Sequence, residues 1–168
     1  MPLLSGFGKS LGREDQGSVM GYDTRFTGRF ALSRPLTAEE SAILAAVHDH
    51  CHEDDLELPY AFLQKRTVTI EREVIGPLYV GESLHYLTEK FPSFYCQWTL
   101  SGNKRSLVWD KGEKFYNYVG WLEYLLSNFF AVRGVQLSGT VKWKGANRGD
   151  RGSITVEGNR IIVKMTHP

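Results

Sequence analysis

The chain has 168 residues, 42% of them apolar, and a formal net charge of +1, which is enough for one hydrophobic core and too little for two. Near-neutrality argues against bulk electrostatic attraction to nucleic acid or membrane, and against an acidic mimic of DNA. No apolar run approaches the roughly 20 residues that cross a bilayer, and two cysteines without a signal peptide point to a reducing, cytoplasmic setting.

Charge is nevertheless segregated, with seven acidic residues and no Lys or Arg in Thr37–Leu58 and seven basic against two acidic residues in Arg133–Pro168. Residues 1–19 are Gly/Ser-rich and aperiodic, which predicts a flexible leader ahead of a single domain over 20–168. Gly8-Lys9-Ser10 lacks the glycine of a phosphate-binding loop, Leu3 standing in its place, so none is expected. Gly21–Leu32 alternates through Tyr22, Thr24, Phe26, Gly28 and Phe30, the pattern of a first strand. After Pro35, Thr37 and Glu40 form a capping box that starts a helix to about His50, with Ile43, Ala46, Val47 and His50 toward the core.

If that helix continues, His48, Cys51, His52 and Asp55 fall at i, i+3, i+4 and i+7, so imidazole, thiolate and carboxylate groups converge on one face. This is the candidate metal site. The competing reading is a frayed, solvated, acidic helix end, and the absence of paired ligand spacing favours it. Residues 56–92 read as an insertion, with a strand at Thr67–Val74, a break at Gly76-Pro77 and a short helix at Glu82–Lys90.

Ser93–Ser101 predicts a strand with Phe94, Cys96, Trp98 and Leu100 on one face and Tyr95, Gln97 and Thr99 on the other; a hairpin loop returns it through Ser106–Asp110. The main helix is predicted over Asp110–Gly134. Asp110 and Glu113 cap it, Phe115, Tyr118, Val119, Leu122, Leu125, Leu126 and Phe129 form its apolar face, and Gly134 ends it. Such a helix would run about 35 Å and overhang its sheet. Strands follow at Val135–Trp143, Ser153–Glu157 and Arg160–Lys164, the last two joined by a Gly158-Asn159 turn. The expected fold is therefore α+β: a mainly antiparallel sheet with two helices on one face, in the order β-α-(insert)-β-β-α-β-β-β.

Trp98, Trp109 and Trp143 share the parity of the apolar strand residues and read as core. Tyr116 and Tyr124 lie off the helix stripe with Trp121 on its flank, which makes them a candidate protein-contact surface unless the insertion packs over them. Lys142, Lys144, Arg148, Arg151, Arg160 and Lys164 gather on the last three strands and a loop. Beside Tyr95 and Gln97 on an open sheet face, they are the candidate contacts to a phosphate backbone. No catalytic constellation and no cofactor are expected: Asp110 and Glu113 are accounted for as caps, and Cys96 as a small buried apolar group.

Tyr95–Trp98 (YCQW), Trp109–Tyr116 (WDKGEKFY), Trp121–Leu125 (WLEYL), Gly139–Gly145 (GTVKWKG) and Asp150–Val156 (DRGSITV), with Met20-Gly21-Tyr22, Phe26 and Gly28 at the start, resemble a family of small uncharacterised proteins encoded by bacteria and their phages. The resemblance implies a fold and a genomic setting and no reaction. Ala146 stands where that pattern leads one to expect an acidic residue that could pair with Asp150, which implies a structural role for the shared residues. Together these features predict a non-enzymatic binding protein acting through a protein partner or self-association. Nucleic-acid or nucleotide binding is the alternative, and metal binding the second.

Overall fold

The computed structural model describes residues 21–53, 57–62, 66–76 and 90–166. The leader, Met20, Asp55 and most of the expected helix at Glu82–Lys90 lie outside the described residues. The chain forms β1 (Thr24–Leu32), α1 (Ala38–Asp49), β2 (Glu71–Ile75), β3 (Trp98–Leu100), β4 (Ser106–Trp109), α2 (Tyr118–Leu125), β5 (Leu137–Gly145), β6 (Arg151–Glu157) and β7 (Arg160–Met165). All the strands among the described residues join one sheet in the order β2-β7-β6-β5-β1-β4-β3. Every pairing is antiparallel except β2 with β7, so the fold is α+β with a seven-stranded mixed sheet, as expected apart from the parallel edge.

The longest ladder joins β1 to β5, from Thr24 opposite Gly145 to Leu32 opposite Leu137. Two glycines sit inside it, Gly28 at φ 109° and Gly139 at φ 140°. A Cβ on either would lie 2.5 Å from a carbonyl oxygen of the facing strand, Thr140 or Arg29, so both the backbone angle and the close approach require glycine. Side-chain parity then divides the sheet. Phe26, Phe30, Leu137, Val141, Trp143, Ile154, Val156, Ile161 and Val163 are buried on one face, and the residues between them point to the other.

Helix α1 begins as its sequence dictates: the Thr37 hydroxyl accepts from the Glu40 N–H, and the Glu40 carboxylate accepts from the Thr37 N–H. Glu40 is buried, yet it is paired with Arg34 at 2.8 Å and Arg133 at 3.4 Å. Chiefly the Arg34 hydrogen bond holds its carboxyl down at about 2. Leu44 and Val47 supply the apolar contact.

The main helix starts seven residues later than the capping reading placed it, its N-cap being Asn117 and not Asp110. Lys111, Lys114 and Asn117 all adopt positive φ (68°, 59° and 51°), so 110–117 is a folded loop. Tertiary partners take the groups that would have started a helix. Asp110 accepts from the Gly112 N–H at 2.6 Å and from His48 at 2.7 Å, and the Glu113 carbonyl accepts from the Gln97 side chain at 2.6 Å. From Tyr118 the helix runs through a π turn (Leu126–Phe130) and a 3-10 turn (Ala131–Arg133) to Gly134, left-handed at φ 71°. It spans about 24 Å, shorter than the roughly 35 Å expected.

Aromatic edges join α2 to the sheet. Phe26 makes edge contacts with Trp98, Trp109, Phe115 and Tyr118 at ring distances of 5.5, 5.3, 5.7 and 4.9 Å, and the Trp98 indole N–H donates to the Tyr118 carbonyl at 2.9 Å. The insertion is tied to the same helix: the Val68 N–H donates to the Ser127 carbonyl at 3.0 Å and the Ser127 hydroxyl to the Val68 carbonyl at 2.8 Å. It also supplies β2. Leu122, wholly buried at the centre of this packing, is expected to cost about 2–5 kcal/mol when replaced by Ala. Urea denaturation checks this; a loss below about 1 kcal/mol would contradict the placement of the helix.

Candidate functional site

The first candidate site, the His/Cys/Asp cluster, loses its geometry where α1 stops. The helix ends at Asp49, and His50 is extended at φ −93°, ψ 139°, so the helical spacing beyond it does not exist. His48 bridges Asp49 at 2.8 Å and Asp110 at 2.7 Å. Burial opposes its charge, but the hydrogen bonds to the two carboxylates outweigh it and raise the pKa. Cys51 faces Glu53 at 3.8 Å, while His52 turns into the interior. Among the described residues no group of three or more His, Cys, Asp or Glu side chains is placed to hold a metal.

His52 is fully buried and ends a hydrogen-bonded chain. Its Nδ1 lies 3.2 Å from the Phe94 carbonyl, which only accepts, so Nδ1 carries the proton and Nε2 accepts from Tyr60 at 2.8 Å. The Tyr60 hydroxyl in turn lies 2.8 Å from that of Tyr124. Burial drives the His52 pKa down to about 4 and pushes both tyrosine pKa values up. The chain is a neutral structural link between the insertion and α2.

This link corrects the expected contact surface. Trp121 is fully buried, packs on His52 at 4.7 Å and donates its indole N–H to Ser93 at 2.7 Å. Phe62 and Phe91 cover Tyr124 at 5.8 and 6.1 Å. Tyr116 is half-buried, and its hydroxyl accepts from the Tyr22 N–H. The three residues form no shared exposed patch because the insertion packs over the helix flank, the alternative the sequence left open.

The basic residues fare differently. In register, Arg25, Lys144 and Arg151 form one cross-strand row; Thr27, Lys142, Ser153 and Lys164 form the next; Arg29 stands one row further. Arg25, Arg29, Lys142, Lys144, Arg151 and Lys164 therefore share the face opposite the core. Among the described residues none of the six is in an ion pair, and the Arg151 Nε is buried without a hydrogen-bond partner. Like charges directly opposite one another destabilise a sheet, so the face folds against its own repulsion. Lys142, Lys144, Arg151 and Lys164 also line one cleft of about 540 Å³.

Other members of the expected set lie elsewhere. Arg148 is exposed on the β5–β6 loop, and Arg160 pairs with Glu73. Tyr95 is exposed, but before the edge strand β3 and away from the cations. Gln97 is buried, engaged with Glu113 and with the Trp109 indole. Arg25 and Arg29 were missed, although the alternation of β1 already put them opposite Phe26 and Phe30.

A buried carboxylate frames this end of the sheet. Asp150, 1% exposed, accepts from the Trp143 indole at 2.8 Å and from the Tyr22 hydroxyl at 2.6 Å. Burial, then the bond to Asp150, pushes Tyr22 up to about 12. Gly145 leaves the space that Asp150 and Tyr22 fill. Compared with family models, curated proteins and solved structures, the chain has no match in any of the three.

His52 sets a pH dependence. The unfolded imidazole takes up a proton near pH 6.5 and the folded one only near 4, so the unfolded state is protonated first and stability is lost as pH falls through that window. In His48→Gln, which removes an oppositely signed contribution, a loss of roughly 3 kcal/mol is expected. Chemical denaturation at stepped pH measures it, and a flat profile would contradict the buried neutral histidine.

Proposed function

We propose that this chain is a non-enzymatic binding protein whose open sheet face holds the phosphate backbone of a nucleic acid. The observation that carries the reading is the set of six unpaired cations on β1, β5, β6 and β7, gathered on one face of a chain whose net charge is only +1. Net charge averages over the molecule, whereas a polyanion meets the local field. A backbone laid across these rows would release counterions and relieve the cation–cation repulsion within the sheet.

Several of the groups capable of acid–base or nucleophilic chemistry are engaged internally, which favours binding over catalysis. His48 is held between two carboxylates, His52 ends the tyrosine chain, and Asp150 ties Trp143 to Tyr22. Cys96 is buried, its thiol pushed up to about 12. The resemblance to proteins of bacteria and phages supports an intracellular setting in which nucleic acid is at hand. A protein partner on the Tyr116/Trp121/Tyr124 flank is less favoured because Trp121 is buried and Tyr116 and Tyr124 are half-buried, so an acidic protein is the competitor for the basic face. Among the described residues no helix is long and apolar enough to cross a membrane.

Fluorescence anisotropy with labelled oligonucleotides tests the proposal. Affinity is expected to fall linearly in log–log form with salt, and Lys142→Glu with Lys144→Glu should flatten that slope by about 2. Retention of full affinity by the double variant, or no binding at low salt, would remove it.

A further inference from the structure

We infer that the ligand of the basic face is a single strand of nucleic acid, its backbone crossing the strand ends and one base stacking on Trp109. The inference rests on the reading above and adds the form of the ligand and a specific platform. Three clefts meet at one end of the sheet. The first, lined by Lys142, Lys144, Arg151 and Lys164, shares Lys144 with a second of about 300 Å³. The second shares Asp23 and Arg25 with a third of about 370 Å³, whose wall includes Trp109, Lys111 and Glu113. The clefts follow one another round the strand ends from β7 to β4, about 19 Å across at the usual strand spacing, passing from the cationic face to the edge of the covered face, where Trp109 lies with Trp98 and Phe26.

This path changes character along its length. Over β5, β6 and β7 it is cationic, suited to phosphates. At the β4 end Asp23 and Glu113 stand beside Arg25 and Lys111, which disfavours a phosphate there and offers acceptors for the amino edge of a base. Trp98 and Trp121 are 0% exposed and Trp143 2%, so Trp109 is the partly exposed tryptophan of the four. Its indole N–H donates to Gln97 at 3.0 Å, and Phe26 packs against it at 5.3 Å and 61°. A ring fixed on two sides is a preorganised stacking platform. A duplex would engage the cations but keep its base faces stacked on one another, leaving this third cleft unused. An unpaired strand uses both.

The test uses the full chain with an oligodeoxycytidylate of about 10 nucleotides, whose bases carry an amino group, the same strand in a duplex, and heparin, at low salt. The single strand is expected to bind about tenfold more tightly than the duplex and to quench tryptophan fluorescence. Trp109→Phe, which keeps a ring against Phe26, should abolish the quench while lowering affinity no more than about threefold; Trp109→Ala should lower it about tenfold. If the Ala variant does not fold, the loss of quenching in the Phe variant decides. Equal binding of all three polyanions without quenching would overturn the single-strand inference and leave the basic face as a general anion site. No binding by any of them would overturn both readings. A salt-sensitive dimer in light scattering, broken by Lys144→Glu, would assign the face to the acidic surface of a second copy and overturn both as well.

Discussion

The register of β1 against β5 is the constraint on which the rest depends. A slip of one residue would exchange the two faces, putting Arg25, Lys142 and Lys144 against α2 and exposing Phe26, Val141 and Trp143 to water. Gly28 and Gly139 allow this register because the facing carbonyls come too close for any side chain. At one end of the ladder the Tyr22–Asp150–Trp143 bonds close the loop between β5 and β6 onto the start of β1. The same alternation that builds the core therefore builds the cationic face, and the proposed function is a by-product of packing parity as much as of charge.

On the covered side, the largest buried rings take partners for their polar atoms, while His50 Nε2 and Arg133 Nε and Nη2 are buried without a hydrogen bond. The indoles of Trp98, Trp121 and Trp143 donate to Tyr118, Ser93 and Asp150, and His52 joins the tyrosine chain. An unsatisfied buried donor costs about 1–3 kcal/mol, so these bonds decide which arrangement of so many rings is stable. They also explain why the insertion packs where it does: Tyr60 and Phe62 cover the flank of α2 because His52 and Tyr124 need their hydroxyl partner there.

Legibility in the sequence followed locality. The first strand, the Thr37/Glu40 box, the last three strands and their Gly158-Asn159 turn depend on neighbours in the chain, and all were readable. Asp110 and Glu113 carried an equally good local cap signal. It misled because His48 and Gln97, distant in sequence, bond to Asp110 and the Glu113 carbonyl. The contact surface failed for the same reason: the covering of Trp121 and Tyr124 by Phe62 and Phe91 has no local signature. Basic residues on β5, β6 and β7 were legible by composition, but their alignment into rows, and the addition of Arg25 and Arg29 from β1, required the register.

The central claim is that ligand meets the chain on the cationic face and the strand ends that adjoin it. Amide chemical-shift mapping during titration with a short oligonucleotide tests this most directly. Perturbations should concentrate at residues 23–29, 109–113, 142–153 and 164–166, with helix α2 unmoved. Shifts centred on residues 57–62 and 118–133 would contradict the account, as would saturation binding that leaves the amides of β5 and β6 unperturbed.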